Sequence, residues 1–205
     1  DSWASRGLGD VYKRQDITCL TEDNNHHIWF GTKRGLYKLD KRNYSITEIT
    51  NKELQQQAIN AIRAIHDGTI WVAADGMIYH YSNDSKLLGS YPSQWKGHKQ
   101  NVSDFYEDSK HTLWIMQWWG GLLEYHPATD HFLPHPWTCG ASPTQMIEDA
   151  QNNCYWIATW GKGVVRFTPS ANIQTDTDNC TLQPATLEGL SLIHISEPTR
   201  RSWIS

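Results

Sequence analysis

The chain has 205 residues, 39% of them hydrophobic and 20% charged, with a formal net charge of −4, a profile that fits a globular protein of one or two domains. No apolar run reaches the roughly 18 residues of a spanning helix, and the acidic balance, with no Lys/Arg block, argues against a nucleic-acid partner, which needs a basic stripe to neutralise phosphates. Eleven Trp against four Phe is the departure from average usage that calls for an explanation.

The first segment, residues 1–15, is expected not to be native protein. Codons can be chosen for Ser5–Gln15 whose reverse complement translates as Leu-Ser-Leu-Ile-His-Ile-Ser-Glu-Pro-Thr-Arg, which is Leu190–Arg200. Such a match between opposite strands at opposite ends resembles the inverted end sequence of a transposase-made sequencing library. Residues 1–15 and 190–205 therefore read as translated adapter and are set aside, against the alternative of a natural amphipathic tail built on Leu190, Leu192, Ile193 and Ile195. The remaining segment keeps 13 basic and 19 acidic residues and is expected to be part of a longer parent.

Within residues 16–189 one phrase recurs. Trp29, Trp71, Trp114 and Trp156 follow one another at 42, 43 and 42 residues, and such a period is the mark of a repeat architecture. The first copy runs through the alternating stretch Ile17–Asp23, the phrase Ile28-Trp29-Phe30-Gly31-Thr32, Gly35–Leu39 and Ser45–Ile49. The second has Ile62–Asp67, Ile70–Ala74, Gly76–Tyr81 and Lys86–Leu88, with a shortened hairpin at His66-Asp67-Gly68-Thr69 that lacks the Glu of the others. The third has Val102–Asp108, Leu113–Met116, Gly121–Tyr125 and His131–Leu133, and the fourth has Met146–Asp149, Tyr155–Thr159 and Gly163–Phe167.

Short runs rich in Ile, Val, Tyr, Trp and Thr and bounded by Gly, Asn and Asp read as strands. Each copy is then a four-stranded antiparallel unit of the size of a propeller blade, which must pack against its neighbours to bury both faces. The expected fold class is all-β, a β-propeller with four consecutive blades near residues 16–50, 59–90, 101–135 and 143–182. The four repeat Trp are expected as core between blades, and Asp of the Glu-Asp pairs as a hairpin-turn acceptor rather than an acid catalyst, since adjacent strand residues point to opposite faces.

The alternating stretch ending in Glu-Asp, the polar turn, the Ile-Trp-Ile-Gly/Ala-Thr phrase and the following Gly resemble the two-component regulator propeller repeat. The resemblance implies an extracytoplasmic, periplasmic sensor segment of a bacterial hybrid two-component system, cut from a seven-bladed ring, with a histidine kinase elsewhere in the parent. It also implies glycan breakdown products as the class of ligand.

The residues themselves point to one face. Strands alternate in direction, so the loops between second and third strands and the connections between blades emerge together. Trp118, Trp119 and Trp160 fall in the former, and Trp95 and Trp137 in the latter, with Lys96, His98, Gln117 and Lys162 beside them. Clustered exposed aromatics mark binding sites, and flat rings with hydrogen-bonding neighbours suit a sugar. The candidate ligand-binding set is thus Trp95, Trp118, Trp119, Trp137, Trp160, His98 and Lys162, the alternative being that these rings pack among loops. No catalytic set, cofactor or metal is expected. The grouping His126, His131 and His135 lacks metal-ligand spacing, and Cys19 reads as a buried thiol although four Cys allow three pairings into two disulfides. A glycan-active propeller enzyme and a protein-interaction scaffold are the competing classes.

Overall fold

The computed structural model describes residues 16–135, 137 and 139–169, and the backbone of 180–183; the two end segments read as adapter lie outside these. Every regular element described is a strand. The first sheet is β1 (Ile17–Glu22), β2 (His27–Thr32), β3 (Gly35–Asp40) and β4 (Ile46–Glu48), and the second is β5 (Ile59–Ala64), β6 (Ile70–Ala74), β7 (Met77–Tyr81) and β8 (Leu87–Pro92). After a small hairpin, β9 (Gln94–Trp95) and β10 (His98–Lys99), come β11 (Val102–Glu107), β12 (Leu113–Gln117), β13 (Gly121–His126) and β14 (His131–His135). The last sheet is β15 (Ser142–Asp149), β16 (Cys154–Trp160), β17 (Gly163–Phe167) and β18 (Cys180–Gln183). Each four-stranded sheet is antiparallel with its strands in chain order, and the inner strands β1, β5, β11 and β15 lie side by side. These are four blades of an all-β propeller.

Register explains why the Trp repeats. Trp29 pairs with Thr21 and Lys38, Trp71 with Arg63 and His80, Trp114 with Tyr106 and Glu124, and Trp156 with Ile147 and Arg166. Each ring thus sits on the second strand of its sheet, and the first three face the following blade. Trp29 packs with Ile59, Ile62 and Tyr81 of the second blade, Trp71 with Phe105 and Leu123 of the third, and Trp114 with Ile157 and Phe167 of the fourth. Burying such a ring removes about 150–250 Å² from water, roughly 4–6 kcal/mol as an upper bound. Trp156 departs from the expectation of a core ring: it is only half-buried. It lines an open apolar face with Ile147 and Val164, because no described residue plays the part that each following blade plays for the other three.

The hairpin Asp does more than cap its turn. Asp23 Oδ1 accepts from the backbone N–H of Asn25 and His27, and Asp108 Oδ1 from Lys110 and Thr112. The second oxygen accepts the repeat indole: Trp29 Nε1 donates to Asp23 at 2.8 Å, Trp114 to Asp108 at 3.0 Å and Trp156 to Asp149 at 3.2 Å. One carboxylate therefore closes the turn and satisfies the N–H that burial would otherwise strand. In the second blade the shortened hairpin moves Asp67 to within four residues of Trp71, where it binds Thr69 instead, and Trp71 Nε1 is buried with no partner in the structure.

Candidate functional site

All four inner strands carry a register shift at one place: between Ile17 and Cys19, Ile59 and Ala61, Val102 and Asp104, and Pro143 and Gln145. The residue left unpaired by each bulge is polar, namely Thr18, Asn60, Ser103 and Thr144. A bulge adds a residue to one strand and re-aims its side chain. Here the four together line an open cleft of about 440 Å³, with Ile59, Asn101, Val102 and Trp118. Two hydroxyls also tie neighbouring blades: Thr18 Oγ1 donates to the Ile59 carbonyl at 2.6 Å, and Ser103 Oγ to the Pro143 carbonyl at 2.5 Å. The strand alternation did not reveal these bulges, yet a polar residue does recur 11 or 12 positions before each repeat Trp, which is the signal that could have found them.

Trp118 stands at the cleft, its backbone N–H bonded to the Asn101 carbonyl at 2.7 Å. Its ring lies 6.3 Å from that of Trp119, nearly perpendicular, and 5.9 Å from that of Trp160. Trp119 and Trp160 are each 68% exposed. Trp119 adopts a left-handed backbone at φ 70°, a conformation costly for a bulky residue. Trp160 differs in position from the sequence expectation: it is the last residue of β16, not a loop residue.

The two connection Trp approach adjacent residues of the same turn. Trp95 is half-buried on β9, its Cβ within 3.1 Å of where a Cβ on Gly120 would stand. Trp137 leaves only 2.5 Å between its Cβ and such an atom on Gly121, whose φ is +95°, and its Nε1 donates to the Ala141 carbonyl at 2.6 Å. Gly at both places lets the two indoles close over the turn that carries Trp118 and Trp119. The structure therefore brings the five non-repeat Trp among the described residues around residues 117–121.

His98 is exposed on β10, paired in register with Trp95. Lys162 is exposed in the turn after Trp160 and donates to the Cys139 carbonyl at 3.0 Å. Gln117, expected on the face, is instead fully buried, and its Nε2 donates to Ser93 Oγ and the Gln94 carbonyl at 2.8 and 3.3 Å. Gln117 Oε1 has no partner in the structure. Its role is to hold the β8–β9 connection against the turn.

Next to bulged Ser103 stands Asp104, an acid on an inner strand where the other copies have Cys19, Ala61 and Gln145. Burial pushes its carboxyl up, opposed by Arg63, whose guanidinium lies 3.3 Å away on the preceding blade. The pair is an inter-blade tie. Cys19 is a thiol, as expected, though half-buried, and burial raises its pKa. His135 Nε2 bonds one oxygen of Glu124 at 2.7 Å and His126 Nε2 lies 3.4 Å from the other, while His131 bonds a backbone carbonyl, so two of those histidines meet at one carboxylate and the third stands apart.

The model of the two component regulator propeller matches residues 12–34. Among curated proteins none is detectably similar in sequence. Among solved structures, the virginiamycin B lyase of Staphylococcus aureus is similar with a TM-score of 0.62 and 19% identity, over 80% of this chain and 57% of that one. The computationally designed Ika4 protein gives 0.59 and 16%, over 77% and 93%. The extracellular domain of a hybrid two component system from B. thetaiotaomicron gives 0.46 and 17%, over 78% and 27%. At these identities the likenesses concern the fold, and the chain spans 57% of the lyase and 27% of the two component system domain. The match to the two component regulator propeller thus falls in the first of four sheets that share one Trp register.

Proposed function

We propose that this segment is the ligand-sensing part of an extracytoplasmic, periplasmic two-component regulator, that it binds an oligosaccharide, and that it binds without catalysing. The observation that carries the reading is the contact of Trp118 with the exposed rings of Trp119 and Trp160 beside a cleft lined by Thr18, Asn60, Asn101, Ser103 and Thr144. An indole face accepts the apolar C–H face of a sugar, while hydroxyls and side-chain amides bond its polar edge. Trp95 and Trp137 form the rim, and His98 and Lys162 supply further donors there. The matched repeat supports the signalling part of the proposal, with the remaining blades and downstream signalling domains as partners within the parent and no nucleic acid.

The test is intrinsic Trp fluorescence titrated with a panel of oligosaccharides, alongside Trp118→Ala and Trp160→Ala. A saturable change that both variants abolish while keeping the fold supports the site. No change with any glycan, or unfolding of both variants, would show the rings to be packing surface. Release of a shortened or unsaturated sugar during the titration would favour a glycan-active enzyme instead.

A further inference from the structure

On the opposite face, where first and second strands turn, three side chains from two blades meet. His66 lies in the β5–β6 turn, Glu107 ends β11, and His111 lies in the β11–β12 turn. One oxygen of Glu107, Oε1, contacts Nδ1 of His66 and lies 3.5 Å from Nδ1 of His111. The two imidazoles stack with centroids 3.7 Å apart and planes 23° from parallel. The other oxygen, Oε2, accepts the His66 backbone N–H at 2.9 Å and so fixes the carboxylate.

We propose that His66, Glu107 and His111 form a binding site for a divalent transition metal of the zinc class, clamping the second blade to the third. The potential donor atoms all lie within 4.8 Å of one another. Zinc at about 2.0–2.2 Å from N and O ligands needs donors about 3.3 Å apart, so a modest turn of two exposed imidazoles closes the set around an ion. Two imidazoles and one carboxylate suit zinc rather than calcium or magnesium, which require oxygen shells. The backbone bond to Oε2 is the outer support that ligating carboxylates commonly have.

The repeat supplies its own controls. In the first blade Glu22 and His26 stand as Glu107 and His111 do, 2.9 Å apart, but Lys41 occupies the same oxygen at 2.5 Å. In the fourth, Glu148 accepts Ser109 N and Oγ, each at 2.8 Å, and Asn152 stands near the place of the second His. Among the described residues, the junction of second and third blades is the one place where three such donors gather. The linear spacing concealed it, since His66 and Glu107 are 41 residues apart.

The site predicts stoichiometric Zn²⁺ uptake by the whole chain in calorimetry, with proton release as ligands deprotonate. His66→Gln, His111→Gln and Glu107→Gln should each weaken it by at least about tenfold, while His26→Gln leaves it unchanged. Co²⁺ substitution should give the intense d–d absorption of a four- or five-coordinate ion, a readout that depends on geometry and not on folding stability. No uptake, uptake that survives both His66→Gln and His111→Gln, or only the weak spectrum of hexa-aqua cobalt would overturn the proposal.

Discussion

Tyr155 of the fourth blade donates its phenolic hydrogen bond to Asp108 of the third at 2.6 Å, on the same oxygen that receives the Trp114 indole. Both Tyr155 and Asp108 are buried. One carboxylate therefore closes its own hairpin, satisfies its own blade's Trp and anchors the next blade. Burial by itself pushes the Asp108 carboxyl up, but the bonds from Tyr155, Trp114 and the turn amides outweigh it and hold the group below the usual range. The same burial, and then the carboxylate, push the Tyr155 phenol up.

Asp108→Asn should cost about 2–4 kcal/mol, because an amide reproduces neither the charge nor both acceptor positions. Asp23 is also held low, its burial outweighed by bonds from His27 and Trp29. Carboxyls lowered in the folded state contribute stability that is full above their unfolded value of about 3.9 and is lost as pH falls through the folded one. Urea unfolding at several pH values should show stability declining below about pH 4, with a shallower decline in Asp108→Asn.

Loss of the indole N–H should cost less in the second blade than in the third. Trp71→Phe removes a donor that has no partner in the structure, so its cost should be about 1 kcal/mol or less beyond lost ring area. Trp114→Phe strips Asp108 of a charge-assisted donor and should cost about 2–3 kcal/mol. Equal losses in denaturant titration would contradict the difference in hydrogen bonding.

The position of each Trp along the array should grade its truncation. Trp114→Ala, in a ring covered by the fourth blade, is expected to cost about 3–5 kcal/mol. Trp156→Ala, half-buried on an open face, should cost about half as much. A loss below about 1 kcal/mol for Trp114→Ala, within the range of surface changes, would remove that ring from the core.

Trp119 tests whether strain has been accepted for function. Trp119→Gly relieves a left-handed backbone and gives up an exposed ring, so thermal stability should be unchanged or raised by about 0.5–1 kcal/mol. Oligosaccharide affinity should fall in the same variant, as read by fluorescence of the remaining Trp118 and Trp160.

Much of the fold was legible because the Trp period and the Gly and Asp punctuation repeat in four copies. The common face of Trp118, Trp119 and Trp95 followed from strand direction alone. What stayed hidden depends on contacts between copies or on backbone detail. A one-residue bulge at Thr18 or Ser103 leaves the short alternating pattern readable in either register. The β9–β10 hairpin turns on Lys96 and Gly97, both at positive φ, and Lys at the first position hides a turn that Asn or Asp would have announced. The exposure of Trp156 depends on what packs against the outer face of the fourth sheet, and the indole–Asp bond on a hairpin length that varies between copies, with Asp six residues before Trp in the first and third, seven in the fourth and four in the second.

The repeated bulge places what a blade reads outside the strand ladder that pairs it. Because each inner strand turns one short polar side chain toward the cleft from the same unpaired position, the surface there is written in four characters: Thr18, Asn60, Ser103 and Thr144. All four stand outside the ladder pairing, and although Thr18 and Ser103 also tie neighbouring blades through their hydroxyls, an exchange between Ser and Thr keeps that tie, so an array of this kind can acquire a new ligand by rewriting single characters while every blade keeps its frame.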